Sequence, residues 1–345
     1  MRAARGRRVI LISFAALLVT LVLAGGIGAV RIPPMEVVRI LLSRLPGLTI
    51  TPTWPESHGV IMWDIRLPRV IMAALAGMAL SVGGGAYQGL FKNPLADPYV
   101  LGVSAGAALG GAIAIAFMQR LHISFVGPVP LFAFGGGLLA VILVYRLAAV
   151  GSRVPAVGLL LAGAAIGSFS MSMVSLILYF TTPSARDNII FWMMGGLSGA
   201  SWTKVGWLLP YLAVGLGVLI FYGRELNALL MGEDAAHSVG VDVEYLKKVV
   251  LVAGSLLTAA SVAFCGTIGF VGLVVPHMVR FLAGPDHRYL LPAAGLTGAV
   301  VLVAADTLAR SLLSATEIPV GLVMAVVGGP FFLWLLRRKL KTADS

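Results

Sequence analysis

Residues 66–117 read RLPRVIMAALAGMALSVGGGAYQGLFKNPLADPYVLGVSAGAALGGAIAIAF, and this stretch decides the fold class. No charge interrupts it between Arg69 and Lys92. A helix needs about 20 apolar residues to cross the hydrocarbon core of a bilayer, so the run predicts one membrane span. Lys92-Asn93-Pro94 then stops it and Asp97-Pro98 opens the next apolar run, because proline ends one helix and starts another. Span, polar turn, span is the pattern of a polytopic membrane protein.

The same pattern extends in both directions. Apolar runs bounded by charges, prolines and glycines fall at 9–29, 67–91, 99–118, 129–147, 156–180, 205–223, 249–265, 268–283, 289–309 and 319–336. The expected fold is therefore all-α, with about ten transmembrane helices in a single transmembrane domain over residues 1–345. Composition agrees: 59% of the 345 residues are hydrophobic and only 11% charged, with mean hydropathy +0.98. Soluble domains carry about 25% charged residues, so a water-soluble enzyme, a disordered chain and a disulfide scaffold are excluded. Strand-like alternation over ~10-residue segments is missing, which speaks against an outer-membrane barrel. The single cysteine, Cys265, has no partner for an internal disulfide.

The net charge of +11 would suggest nucleic acid in a soluble chain. Here the basic residues form short clusters between apolar runs, which points to membrane orientation and not to nucleic acid. Arg2, Arg5, Arg7 and Arg8, then Lys247 and Lys248, then Arg337, Arg338, Lys339 and Lys341 put both termini on the cytoplasmic side of a ten-span chain. The first apolar run outlasts the usual 7–15 residues, roughly, of a signal-peptide core, so a retained first helix is expected.

Two loops carry more than connectors need. In 223–248, Leu226, Leu229, Leu230, Ala235, Ala236 and Val239 are spaced for two short amphipathic helices, broken at Gly232 and Gly240. Such helices lie on a membrane or plug into a partner. Gly266, Gly269 and Gly272 followed by Pro276 predict a broken span. His277 lacks the further ligands a metal site requires nearby, so it reads as a structural hydrogen-bonding residue, and no metal or cofactor is expected. Asp306 and Arg310 are spaced for a salt bridge near the end of the ninth span. The phosphate-loop pattern G-x-x-x-x-G-K-[ST] is missing, so the chain does not hydrolyse ATP by that route. A convincing set of mid-membrane carboxylates is also missing, which counts against the rival reading of an ATP-independent secondary transporter.

The ordered motifs now carry a resemblance. Arg66-Leu67-Pro68-Arg69, Gly77, Gln88, Lys92 through Pro98, Leu101-Gly102, Ser104 through Ala107, Gly266 through Leu273, Pro276-His277, Asp286-His287-Arg288 and Glu317 through Gly321 cover residues from about 60 to 335. Together they resemble the signature of the iron-complex and cobalamin (FecCD-type) ABC importer permeases, the type II importer membrane subunits. The resemblance implies ten helices per chain and a homodimer with substrate passing along the subunit interface. It implies two cytoplasmic ATPase subunits below and a periplasmic or surface-tethered substrate-binding protein above. It assigns ATPase coupling to Met231, Gly232, Ala235, Ala236, Val239 and Gly240, and binding-protein docking to Arg66, Arg69 and Arg310. It sets the cytoplasmic gate at Val154, Pro155, Ala156 and Val157. It also implies inverted repeats at about 66–180 and 249–336, with Asp97 through Gly102 echoing Asp286 through Leu291. Trp192, Met193 and Met194 are candidates for the translocation path. The implied function is import of an iron complex, a ferric siderophore first and haem or cobalamin as alternatives, by alternating access across the cytoplasmic membrane, with no catalytic residue in this chain.

Overall fold

The computed structural model describes residues 2–44, 47, 50–117, 127–151, 154–312 and 317–343. Along them run α1 (Arg2–Gly26), α2 (Pro34–Leu42), α3 (Glu56–Val60), a π-turn at Ile61–Arg66, α4 (Leu67–Leu90) and a 3₁₀ turn at Pro98–Leu101. There follow α5 (Val103–Phe117), α6 (Pro128–Ala148), α7 (Ala156–Phe180), α8 (Pro183–Met193) and α9 (Trp202–Phe221). The chain continues through α10 (Gly223–Leu230), α11 (Glu233–Ser238), α12 (Val243–Cys265), α13 (Val271–Ala283), α14 (His287–Ala309) and α15 (Val320–Ala343). The fold is all-α, as the apolar runs require.

Seven of the ten expected spans are long and apolar enough to cross a membrane: Ala3–Gly26, Glu56–Leu90, Pro128–Ala148, Ala156–Phe180, Trp202–Phe221, Val243–Cys265 and His287–Ala309. Of the other three, Val103–Phe117 and Val271–Ala283 are short apolar helices, and α15, 24 residues long, is apolar over Val320–Trp334. All ten expected spans are helical, and two of them, α5 with 15 residues and α13 with 13, are short for a full crossing. A 13-residue helix such as α13 is about 20 Å long, short of the ~30 Å hydrocarbon core. The residues taken from these helices lie in irregular turns that are themselves apolar. Before α5 the backbone tightens into the 3₁₀ turn and reverses at Gly102, φ +74°. Before α13 it breaks at Gly266–Phe270, where Gly266 and Phe270 take φ +68° and +67°. The second span is longer than its apolar run because α3, the π-turn and α4 are continuous. A proline ring clashes with the carbonyl four residues back, and the wider π-turn ends just before Pro68, where that clash would fall.

Burial sorts the helices into a centre and a shell. The α4 window is 83% buried and that of α12 72%, against 22% for α1 and α7. Two close approaches hold the centre together. A Cβ on Gly77 of α4 would overlap the Gly298 carbonyl of α14, and one on Gly84 would overlap the Gly272 backbone of α13. Small residues permit such contacts where lipid supplies no hydrophobic drive for helices to associate.

A contrast between two glycines checks this packing. Gly84→Val is expected to lower the detergent-solubilised protein's stability by at least about 1–3 kcal/mol, the usual cost of overpacking. Gly135→Ala on α6, where nothing lies within 4 Å of the added carbon, is expected to leave the thermal midpoint within error.

Candidate functional site

Most of the candidate residues gather at two ends of the bundle. Helix α14 separates them, its 23 residues spanning roughly 35 Å. One end carries an arginine cluster. Arg66 comes from the π-turn, Arg69 from the first turn of α4, and Arg310 caps the C-terminus of α14. Arg69 is 9% exposed and Arg66 5%. The Arg69 fork is fully engaged: Nε and Nη2 donate to Asp306 at 2.9–3.1 Å, and Nη1 donates to both Glu317 oxygens at 3.0 and 2.8 Å. Arg310 Nε stands 3.7 Å from the other Asp306 oxygen, the pair expected from sequence, while its Nη2 donates to the Ala24 carbonyl. Arg66 donates to the carbonyls of Gly25, at 2.7 Å, and Val30. Three guanidinium groups and two carboxylates thus join the end of α1, the start of α4, the end of α14 and the approach to α15.

The opposite end is built on α10 and α11. Their apolar spacing is realised as buried contacts: Leu226, Leu229 and Ala236 are fully buried, while Met231 is 82% and Val239 70% exposed. Gly232 and Gly240 break the helices at φ +126° and +84°. Gly232 and Gly240 flank α11 at its two ends, and Ala235 within it is half-buried. Asn227 ties α10 to the rest. It donates to Asp286 at 2.7 Å, and its own carbonyl accepts from the His287 amide at 2.8 Å. Asp286 in turn holds Arg288, and this contact, ahead of Asn227's, draws its carboxyl down to about 2. That stabilisation is complete above about pH 4 and fades as the pH falls toward 2.

The predicted gate residues lie beside this element. The Val154 amide donates to Glu244 at 3.1 Å, and Glu244 and Glu233 both pair with Lys247. Val154 is buried; Pro155, Ala156 and Val157 lead into α7 exposed. Trp192, Met193 and Met194 lie elsewhere, half-buried at the end of α8. Met193 O accepts from Thr267 in the α12–α13 break, and the Gly321 amide at the start of α15 donates to Gly195 O. Trp192 lines a cavity of about 430 Å³ with Pro128, Ser198, Lys204 and Phe264.

Sequence reasoning did not assign Asn227, Glu244 or Glu317 any role. Glu317 stood in a recognisable motif but carried no sign of its partner. Nothing local marks Asn227 or Glu244, because their contacts are with distant segments.

The FecCD transport family model matches residues 16–338. The cobalamin import system permease of Halobacterium salinarum is 46% identical over 283 residues, 82% of this chain and 75% of the relative. The hemin transport system permease of Yersinia pestis is 41% identical over 307 residues, covering 85% and 89%. Among solved structures, an inward-facing metal-chelate type ABC transporter superposes with TM-score 0.83 at 29% identity, covering 96% of this chain and 99% of the other.

Removing the Asn227 side chain tests the joint at the α10 end. Asn227→Ala strands the His287 amide and its ring Nδ1, while Asp286 keeps Arg288, and a buried group left unpaired costs about 1–3 kcal/mol. Hydrogen exchange is expected to speed up at His287 and through α10, with no change at the arginine end.

Proposed function

The chain belongs to the FecCD transport family and is an ABC importer permease, and we propose that its cargo is a bulky metal chelate moved by alternating access between two copies of this chain. A ferric siderophore is the cargo expected from sequence. The names of the relatives at 46% and 41% identity, given for cobalamin and hemin import, favour a metal-bearing tetrapyrrole as the second reading. Uptake of labelled ferric siderophore, haem and cobalamin by cells carrying the importer separates the three.

The α10–α11 end faces the cytoplasm in this reading. Arg224, Lys247, Lys248, Arg280 and Arg288 gather on that side, in keeping with the positive-inside rule. Both termini lie there too. ATP is hydrolysed by two separate subunits that grip α10 and α11, and the stroke passes through Asn227 to the start of α14 and through Glu244 to the gate at Val154–Val157. The arginine end then faces outward and receives the substrate-binding protein. The exposed faces of α7 and α15 are left for the second copy and for lipid. Inverted repeats at about 66–180 and 249–336 are supported by matching helix lengths: 24, 15, 21 and 25 residues in α4–α7 against 23, 13, 23 and 24 in α12–α15. That register pairs the turn after α4 with the turn after α12. The likeness of Asp97 to Asp286 is then one of local capping, each accepting from the amide two residues on.

The observation that carries the coupling role is the division of the α10–α11 surface. Leu226, Leu229 and Ala236 are spent inside the permease, while Met231 and Val239 stay bare at the tip. Ala236→Asp would therefore test folding and not docking. Met231→Asp with Val239→Asp changes only the exposed tip, and is expected to release the ATPase subunits from a still folded permease and to abolish transport. A stable, ATP-driven complex carrying both aspartates would sink the coupling role.

A further inference from the structure

The two acids of the arginine cluster are not equivalent. The Asp306 side chain is 1% exposed, whereas that of Glu317 is 51% exposed. Both address one guanidinium, Asp306 on the Nε–Nη2 edge of Arg69 and Glu317 on Nη1. The inner edge of Arg69 is therefore neutralised by an acid inside the bundle, and its outer edge is covered by an acid that water already reaches.

Charge arithmetic gives this arrangement a consequence. Arg66, Arg69 and Arg310 against Asp306 and Glu317 leave one net positive charge, and neutralising Glu317 leaves two. Among the described residues Arg66 has no acidic partner, its guanidinium donating to the Gly25 and Val30 carbonyls. Glu317 also sits ahead of α15 and not within a helix. Just after it the Ile318 amide donates to Ala309 O at 3.3 Å, and at the start of α15 the Gly321 amide donates to Gly195 O at 3.3 Å and the Leu322 amide to Pro319 O at 3.0 Å. An acid so placed can leave Arg69 without unfolding a helix.

We propose that Glu317 is a built-in stand-in for a partner carboxylate: it covers the outer edge of Arg69 in the undocked permease and yields to an acidic side chain of the docking protein. The inference rests on the reading of this end as the docking surface. The partner it fits is a soluble protein face carrying at least two carboxylates, one for Arg69 and one for the uncompensated charge at Arg66. Arginine forks match carboxylates in two-bond geometry, so one acid replaces another with little change in contact. A half-exposed internal pair contributes little stability, which makes the exchange easy. The internal acid also competes against weakly acidic proteins and so raises selectivity, since specificity is a difference of affinities. Its release loosens the approach to α15, which touches Gly195 beside Trp192, Met193 and Met194.

The test is a binding titration with the importer in nanodiscs, the probe being its substrate-binding protein, at two ionic strengths. Glu317→Gln is expected to tighten Kd about fivefold, mainly through faster association at low salt, with the gain shrinking at high salt. Glu317→Asp keeps the charge on a shorter arm and is expected to gain less; it serves as well if the glutamine variant does not fold. Arg66→Gln, measured in parallel, is expected to weaken binding. If Arg66→Gln weakens binding while Glu317→Gln leaves it unchanged or weaker, Glu317 is a structural brace and the inference is overturned, with the docking reading intact. If Arg66→Gln changes nothing, the docking reading falls and this inference with it.

Discussion

The ion pair between Arg69 and Asp306 is the constraint on which the rest of the arrangement leans. The two residues are 237 positions apart and come from different central helices, α4 and α14. A charge in an apolar interior is tolerated only when paired and hydrogen-bonded, and removing one member of such a pair costs about 3–5 kcal/mol. The pair therefore fixes the rotation and height of α4 against α14. The Gly77–Gly298 contact lower in the same helices fixes their separation. With both set, Arg310 and Arg66 reach the end of α1, and Glu317 brings the approach to α15 onto the same point.

The far end solves a different physical problem. In the proposed coupling role, helices α10 and α11 move with a cytoplasmic partner and are yet held by the bundle. They are held by Leu226, Leu229 and Ala236 inside and by one amide side chain, Asn227, which serves both the Asp286 carboxylate and the His287 backbone. Their exposed tip, Met231 and Val239, is left with nothing of its own chain to cover it. The two ends are joined through α14, which begins at His287 and ends beside Arg310. A displacement of one end has a rigid path to the other, and this is the geometry an importer needs if docking and hydrolysis are to communicate.

Much of this was legible in the sequence, for reasons specific to each element. Apolar runs of about 20 residues mark membrane helices by hydropathy alone, so every crossing element was found. Hydropathy does not distinguish a helix from an apolar turn, so the 3₁₀ turn at Pro98–Leu101 was absorbed into a span and α5 was read too long. The break before α13 was legible, because Gly266, Gly269 and Gly272 interrupt the apolar run there. The second span was read from Leu67, yet the helix already runs from Glu56 through the π-turn at Ile61–Arg66. The spacing in 223–248 revealed an apolar face but not which of its members turn inward, and Ala236 proved fully buried. The arginines were recognisable from their motif. That Arg69 is shared by Asp306 and Glu317 was not, because no local pattern reports a contact spanning most of the chain.

A double-mutant cycle on Arg69 and Asp306 tests the central claim most directly. Arg69→Gln, Asp306→Asn and the double variant would be unfolded in the same detergent and their stabilities compared. A pair that fixes α4 against α14 predicts that either single change is strongly destabilising and that the double variant recovers at least about 2 kcal/mol of the summed loss, within the range for coupled neighbours. Additive losses within about 0.5 kcal/mol would mean that the two residues act independently, and would contradict the account.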